Sequence, residues 1–102
     1  MSKDIFVKVE RGGVPVSGET NIYLQLDNMS VQEASYYQGA SPYERFQAYT
    51  LFTYDIRQLD LLVDLNNTDP KTGTYYHYRT ISIPEFFPDG HGEMVCDLVR
   101  GT

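Results

Sequence analysis

Three apolar segments in the last half of the chain, each bounded by turn-forming residues, restrict the fold more than any other feature. Residues 56–64 run into Asn66-Asn67-Thr68-Asp69-Pro70-Lys71-Thr72-Gly73, the richest cluster of turn formers in the chain. Residues 75–83 follow, then a stretch framed by Pro84 and Pro88 that ends in Asp89-Gly90, then residues 93–99 near the C-terminus. This order predicts three β-strands joined by tight turns. In the first of them Leu59, Leu61, Leu62 and Val63 are the apolar positions and Asp60 and Asp64 are expected outside. Residues 75–83 are expected to be the longest strand.

The first half extends the pattern. Ile5-Phe6-Val7-Lys8-Val9 is a strand stopped by Arg11-Gly12-Gly13. Val14-Pro15 belongs to an edge or a loop, because proline lacks the amide donor of a central strand. Residues 21–27 alternate with a period of two, Ile22, Leu24 and Leu26 on one face and Tyr23 and Gln25 on the other. Residues 30–38 are expected to be extended, with a single helical turn as the alternative, since Ser30-Val31-Gln32-Glu33 fits a capping box. Gly39-Ala40-Ser41-Pro42 breaks the chain, and residues 46–52 form another strand with an aromatic face. Six or seven short, mostly antiparallel strands with long loops make residues 1–102 one all-β domain, a small barrel or a sandwich.

Composition agrees. Nine tyrosines and five phenylalanines with no tryptophan suit a pleated, half-buried surface, and tyrosine also suits interfaces. A chain of 102 residues has room for one core and commonly gains stability from a partner or an oligomer. Fourteen acidic residues against eight basic give a net charge of −6. The cations are scattered singly, so tight phosphate-backbone binding is not expected. An acidic surface suits solubility, and equally a surface that DNA must pass without sticking.

The single cysteine, Cys96, excludes an intrachain disulfide and reads as a small buried hydrophobe. As a catalytic thiol it would need a base, and His77 and His91 are the only histidines. Met1-Ser2-Lys3-Asp4 lacks the apolar region of a secretion signal, and no apolar run reaches membrane-spanning length. The expected site of synthesis is a reducing cytoplasm.

Few residues point to chemistry. Asp89, His91 and Glu93 alternate, so an extended backbone would bring an oxygen and imidazole set to one face for a divalent metal. Gly90 and Gly92 between them argue instead for a solvated turn, and no metal or cofactor is expected. Asp55, Asp60 and Asp64 would need a pocket that separates their pKa values to act as acid and base. Tyr36, Tyr37, Tyr75, Tyr76 and Tyr78 would stack bases only beside a basic groove, and Arg79 is the lone cation there. Phosphate loops, nucleophile elbows and triad signatures are missing from the sequence, so catalysis is not expected.

Two stretches resemble the small head–tail connector (head-closure, or stopper) proteins of tailed bacteriophages. Asp55-Ile56-Arg57-Gln58-Leu59-Asp60-Leu61-Leu62-Val63-Asp64 is similar to their "I-R-x-x-D-x-L-V-D" step, and Tyr76-His77-Tyr78-Arg79-Thr80-Ile81 to their "Y-x-Y-R-x-I" strand. Val31-Gln32-Glu33-Ala34-Ser35 is similar to their "V-Q-x-x-S", and a Pro-containing loop and a last strand complete the likeness over roughly residues 22–100. Leu59 departs from the pattern, standing where many members carry a turn glycine. The resemblance implies a β-barrel that assembles as a homo-oligomeric ring between portal or adaptor and tail proteins in the virion. Such a ring would retain and pass double-stranded DNA without holding it tightly, and would contact no membrane. It also implies interface or channel loops at Asn66, Asn67, Thr68, Asp69 and Lys71, with Gly39, Ser41, Pro42 and residues 12–18 as further contacts. A capsid decoration or tail-terminator-like subunit, and a free-standing small-barrel binding module, are the alternatives.

Overall fold

The computed structural model describes residues 2–28 and 44–99. Among them are eight strands and no α-helix: β1 (Ser2–Arg11), β2 (Val14–Pro15), β3 (Ile22–Asn28), β4 (Arg45–Thr50), β5 (Leu61–Thr68), β6 (Tyr75–Thr80), β7 (Glu85–Phe86) and β8 (Gly92–Val99). All pairings are antiparallel, in the order β1-β3-β4-β8-β6-β5, and β5 returns to β1. The sheet is thus a closed six-stranded barrel, with β2 added at β1 and β7 at β8.

Closure depends on β1, which is the longest strand at ten residues. Its first half pairs with β3, its second half with β5, and Val7 faces both Ile22 and Asp64. The period of two then fills the interior. Ile5, Val7 and Val9 meet Ile22, Leu24 and Leu26, with Ala48, Leu62, Tyr78, Met94 and Cys96 from the other strands. Burial of such side chains contributes roughly 1.5–3 kcal/mol each, before the conformational entropy lost in ordering them. Gly92 is required where β4, β7 and β8 meet, since a Cβ there would lie 2.4 Å from the Phe86 ring and 2.6 Å from Thr50 Oγ1.

Strand limits differ from the sequence pattern for local reasons. Residues 56–60 are a turn, and β5 begins only at Leu61. β4 ends at Thr50, leaving Phe52 outside the aromatic face and exposed. β6 stops at Thr80, because Ile81 and Ser82 both donate their amides to Val95 O and the chain then departs toward Pro84. Asn66, Asn67 and Thr68 belong to strand β5, so the β5–β6 connection begins at Asp69. Gly92 opens a strand, while Gly90, at φ +98°, supplies the turn before it.

Candidate functional site

Antiparallel closure sends every connection to one of two ends. Residues 12–21, 51–60 and 81–91 gather at the end where β1, β4 and β6 finish, here the loop end. The β5–β6 hairpin lies at the opposite, hairpin end, together with the flanks Asn28 and Arg45 of the segment between β3 and β4.

At the loop end the last residue of β1 organises a turn. Arg11 donates from Nε to Asp60 Oδ1 at 2.9 Å and from Nη2 to Asp60 Oδ2 at 2.8 Å. The same Nη2 reaches Asp55 Oδ1 and the Asp55 carbonyl, both at 3.3 Å. Asp60 also accepts the Arg57 amide at 2.8 Å and is only 2% exposed. The Arg11 guanidinium holds the Asp55 carboxyl below its ordinary range, while the hydrogen bond to Asp60, above all, pushes Arg11 further up. Leu59 closes the turn at φ +75°. Its amide donates to Thr80 O at 2.6 Å, and Arg79 Nη1 donates to its carbonyl at 2.9 Å. Asp60 and Asp64 are therefore inside, contrary to the sequence pattern, and the exposed residue is Leu59. A carboxylate survives burial when charge-assisted bonds replace its water, and each of these has found such bonds.

Asp89, His91 and Glu93 do come together at the same end. His91 Nδ1 lies 2.5 Å from Asp89 Oδ1 and Nε2 lies 3.3 Å from Glu93 Oε2. The ring stacks on Phe87 with centroids 4.5 Å apart. The two carboxylates, Asp89 first, raise the His91 pKa above its ordinary value. The backbone amide and then the ring of His91 lower that of Asp89. Both imidazole nitrogens are thus engaged by carboxylates. Among the described residues no group of three His, Cys, Asp or Glu side chains is arranged to hold a metal ion.

The hairpin end is built around a bulge. Between the pairs Val63↔His77 and Thr68↔Tyr75 strand β5 has four residues where β6 has one. Asp64, fully buried, stabilises the excess: Oδ1 accepts the Asn66 amide at 2.8 Å and the Asn67 amide at 3.2 Å, and Oδ2 accepts Asn67 Nδ2 at 2.9 Å. Asn66 Oδ1 in turn accepts the Phe6 amide across the seam to β1 at 2.8 Å. Asp69 then nucleates the turn, accepting the Lys71 amide at 2.9 Å, and its own amide donates to Thr74 O at 2.8 Å. The hairpin folds over the outer wall, and an open groove of about 450 Å³ lies between them, lined by Lys8, Glu10, Val63, Thr68, Tyr75 and His77 among others. Nearby, Arg45 is fully buried and bidentate to Asp97, at 2.7 Å from Nε and 2.9 Å from Nη2.

The residues singled out from the sequence divide accordingly. Asn66 and Asn67 serve the bulge and the seam, Thr68 lines the groove, and Asp69 and Lys71 form the turn. Gly39, Ser41 and Pro42, together with Tyr36, Tyr37 and residues 30–38, lie outside the described residues. Asp55, Asp60 and Asp64 do not form one site, because Asp64 holds the bulge while the other two hold Arg11. Tyr78 is buried and Tyr76 lies under Lys3 Nζ at 5.7 Å, so neither offers a free stacking face. Cys96 is fully buried, and burial pushes its thiol pKa up, opposite to activation. The Arg11 and Arg45 clasps escaped sequence reading because their partners lie 49 and 52 residues away. No helix among the described residues is long and apolar enough to cross a membrane. No family model matches the chain, nor does any curated protein or solved structure.

Proposed function

We propose that this protein is a structural subunit of a tailed-phage particle, a head-closure protein whose copies form a ring between portal or adaptor and tail. The observation that carries the reading is the conformation of Leu59. The family pattern places a turn glycine there, and this chain keeps the left-handed backbone, φ +75°, with a leucine in its place. Non-glycine residues adopt such a backbone only where surroundings impose it, which supports a turn of the kind a glycine would make. The two resembling stretches are also neighbours, with Leu61↔Arg79, Leu62↔Tyr78 and Val63↔His77 in register.

The physical demands of the role fit the molecule. A closed barrel leaves little free sheet edge, so contacts between copies would run through the outer wall and the loops. A net charge of −6 would let DNA pass without adhering. The turn at Asp69 and Lys71 would reach into the channel or onto the tail. Cryo-electron microscopy of particles assembled with this chain tests the reading. Density in a ring at a single vertex, between head and tail, is the expected result. Density over the whole capsid surface would make the chain a decoration protein, and absence from particles would leave a free-standing binding module. Excising Pro70, Lys71 and Thr72 then addresses the hairpin, whose role is lost if DNA retention is unaffected.

A further inference from the structure

The loop end carries an apolar pair that the described chain does not cover. Leu51 and Phe52 are 59% and 64% exposed, yet the backbone presenting them is pinned. Thr50 Oγ1 donates to Phe52 O at 2.9 Å, and Thr53 Oγ1 donates to Gly90 O at 3.2 Å. A Cβ on Gly90 would lie 4.0 Å from Leu51 O, so this loop and the 87–91 turn lie against each other. Large apolar side chains presented by an ordered backbone suit a binding surface, because the backbone need not be ordered on association.

The charges on the same end say what would cover them. Asp89, Asp55 and Glu93 side chains are 69%, 47% and 37% exposed, and exposed Glu85 sits opposite Glu93 in register. Of the three guanidiniums at this end, Arg11 and Arg57 are already engaged by Asp55 and Asp60, and Arg79 donates to Leu59 O. His91 is shared between Asp89 and Glu93. The apolar pair therefore has a rim of under-compensated carboxylates.

We infer that the loop end docks a segment of another protein in which apolar side chains, set against Leu51 and Phe52, are flanked by lysine or arginine. A second copy of this chain fits poorly. Two loop ends brought together would oppose carboxylates, and of the described cations Arg11, Arg45, Arg57 and Lys8 are paired with carboxylates of their own chain. Arg79 donates to Leu59 O, Lys3 lies over Tyr76, and Lys71 sits on the turn at the opposite end. The inference holds for any assembly the protein serves and does not depend on the phage reading.

The test is a nuclear magnetic resonance titration of the whole labelled chain with two synthetic peptides sharing one leucine and phenylalanine pattern. One carries lysines between the apolar residues, the other glutamates. The lysine peptide is expected to shift amides of residues 50–53 and 89–93, and salt should weaken it. Phe52→Ser should weaken binding about tenfold or more, and Asp89→Asn by a smaller factor. The same spectra report whether each variant is folded, and Leu51→Ser serves if Phe52→Ser is not. Equal affinity for the glutamate peptide, shifts confined to other surfaces, or unchanged binding in folded Phe52→Ser and Leu51→Ser would overturn the inference. So would self-association in sedimentation, or binding to phosphatidylcholine–phosphatidylglycerol vesicles, if either is abolished by Phe52→Ser. Those outcomes assign the surface to a second copy or to a membrane.

Discussion

Arg11 and Arg45 perform the same task at opposite ends of the barrel in different surroundings. Each closes an end by gripping a carboxylate about fifty positions away in sequence. Arg45 does so with no solvent exposure, on Asp97 that is 14% exposed. Arg11 keeps 32% of its side chain in water and divides itself between Asp55 and Asp60. The ends also differ in how they turn the chain. Gly73 at the hairpin end and Leu59 at the loop end share φ +75°, but only the glycine adopts it without strain. A fully buried clasp leaves an uncompensated charge when its carboxylate is removed, whereas a half-exposed, shared one degrades gradually. The hairpin end is therefore expected to be energetically brittle, and the loop end adjustable and suited to meeting a partner.

The sharpest attempt to break this contrast is Asp97→Ala, which deprives buried Arg45 of its bidentate partner. The expected loss is about 3–5 kcal/mol, read from the urea midpoint at constant slope. A loss below about 1 kcal/mol, the weight of an exposed pair, would erase the distinction between the ends. Asp60→Ala should come next, at about 2 kcal/mol, the scale of charge-assisted hydrogen bonds removed while Arg11 keeps Asp55 and water. If it cost more than Asp97→Ala, the loop end would be the brittle one. Leu59→Gly should stabilise by about 0.5–1 kcal/mol. Relief of the left-handed strain outweighs the added freedom of the unfolded chain, and the exposed leucine gives up little packing. A lower melting temperature in that variant would mean the leucine side chain contributes contacts that outweigh its strain.

The smallest effect sharpens the electrostatics of the loop end. His91 has a raised pKa, so its contribution to stability is complete below its ordinary value and lost as pH rises through the folded one. Asp89 has a lowered pKa, so its contribution is complete above its ordinary value and lost as pH falls through the folded one. Together they are fully stabilising between roughly pH 4 and 6.5, the ordinary values of the two groups. Proton resonance titration of the His91 ring should place its pKa higher in the native chain than in Asp89→Asn. No difference between the two would remove the carboxylate as the cause.

Strand β3 was legible outright, since Ile22, Leu24 and Leu26 alternate with half-exposed neighbours and are buried as the period requires. Cys96 was legible as a buried hydrophobe for the same reason. Residues 56–64 were not, because their apolar letters suit a strand while the Arg11 grip on Asp60 bends the first half into a turn. Asn66 to Thr68 misled in the opposite direction. Turn-forming residues sit in a strand because buried Asp64 satisfies the bulged backbone there.

By itself the sequence determined an all-β chain of short strands, the place of the hairpin between β5 and β6, and an acidic surface. Those properties are local or additive: side-chain alternation, turn chemistry and charge are carried by neighbouring residues or by composition. Tertiary structure alone decided that the sheet closes through β1 and β5, and which aspartates go inside. It also decided that a leucine takes a glycine's backbone conformation. Each of these depends on a partner far along the chain, where desolvation is offset only if the opposite charge or the missing strand edge arrives at the same place.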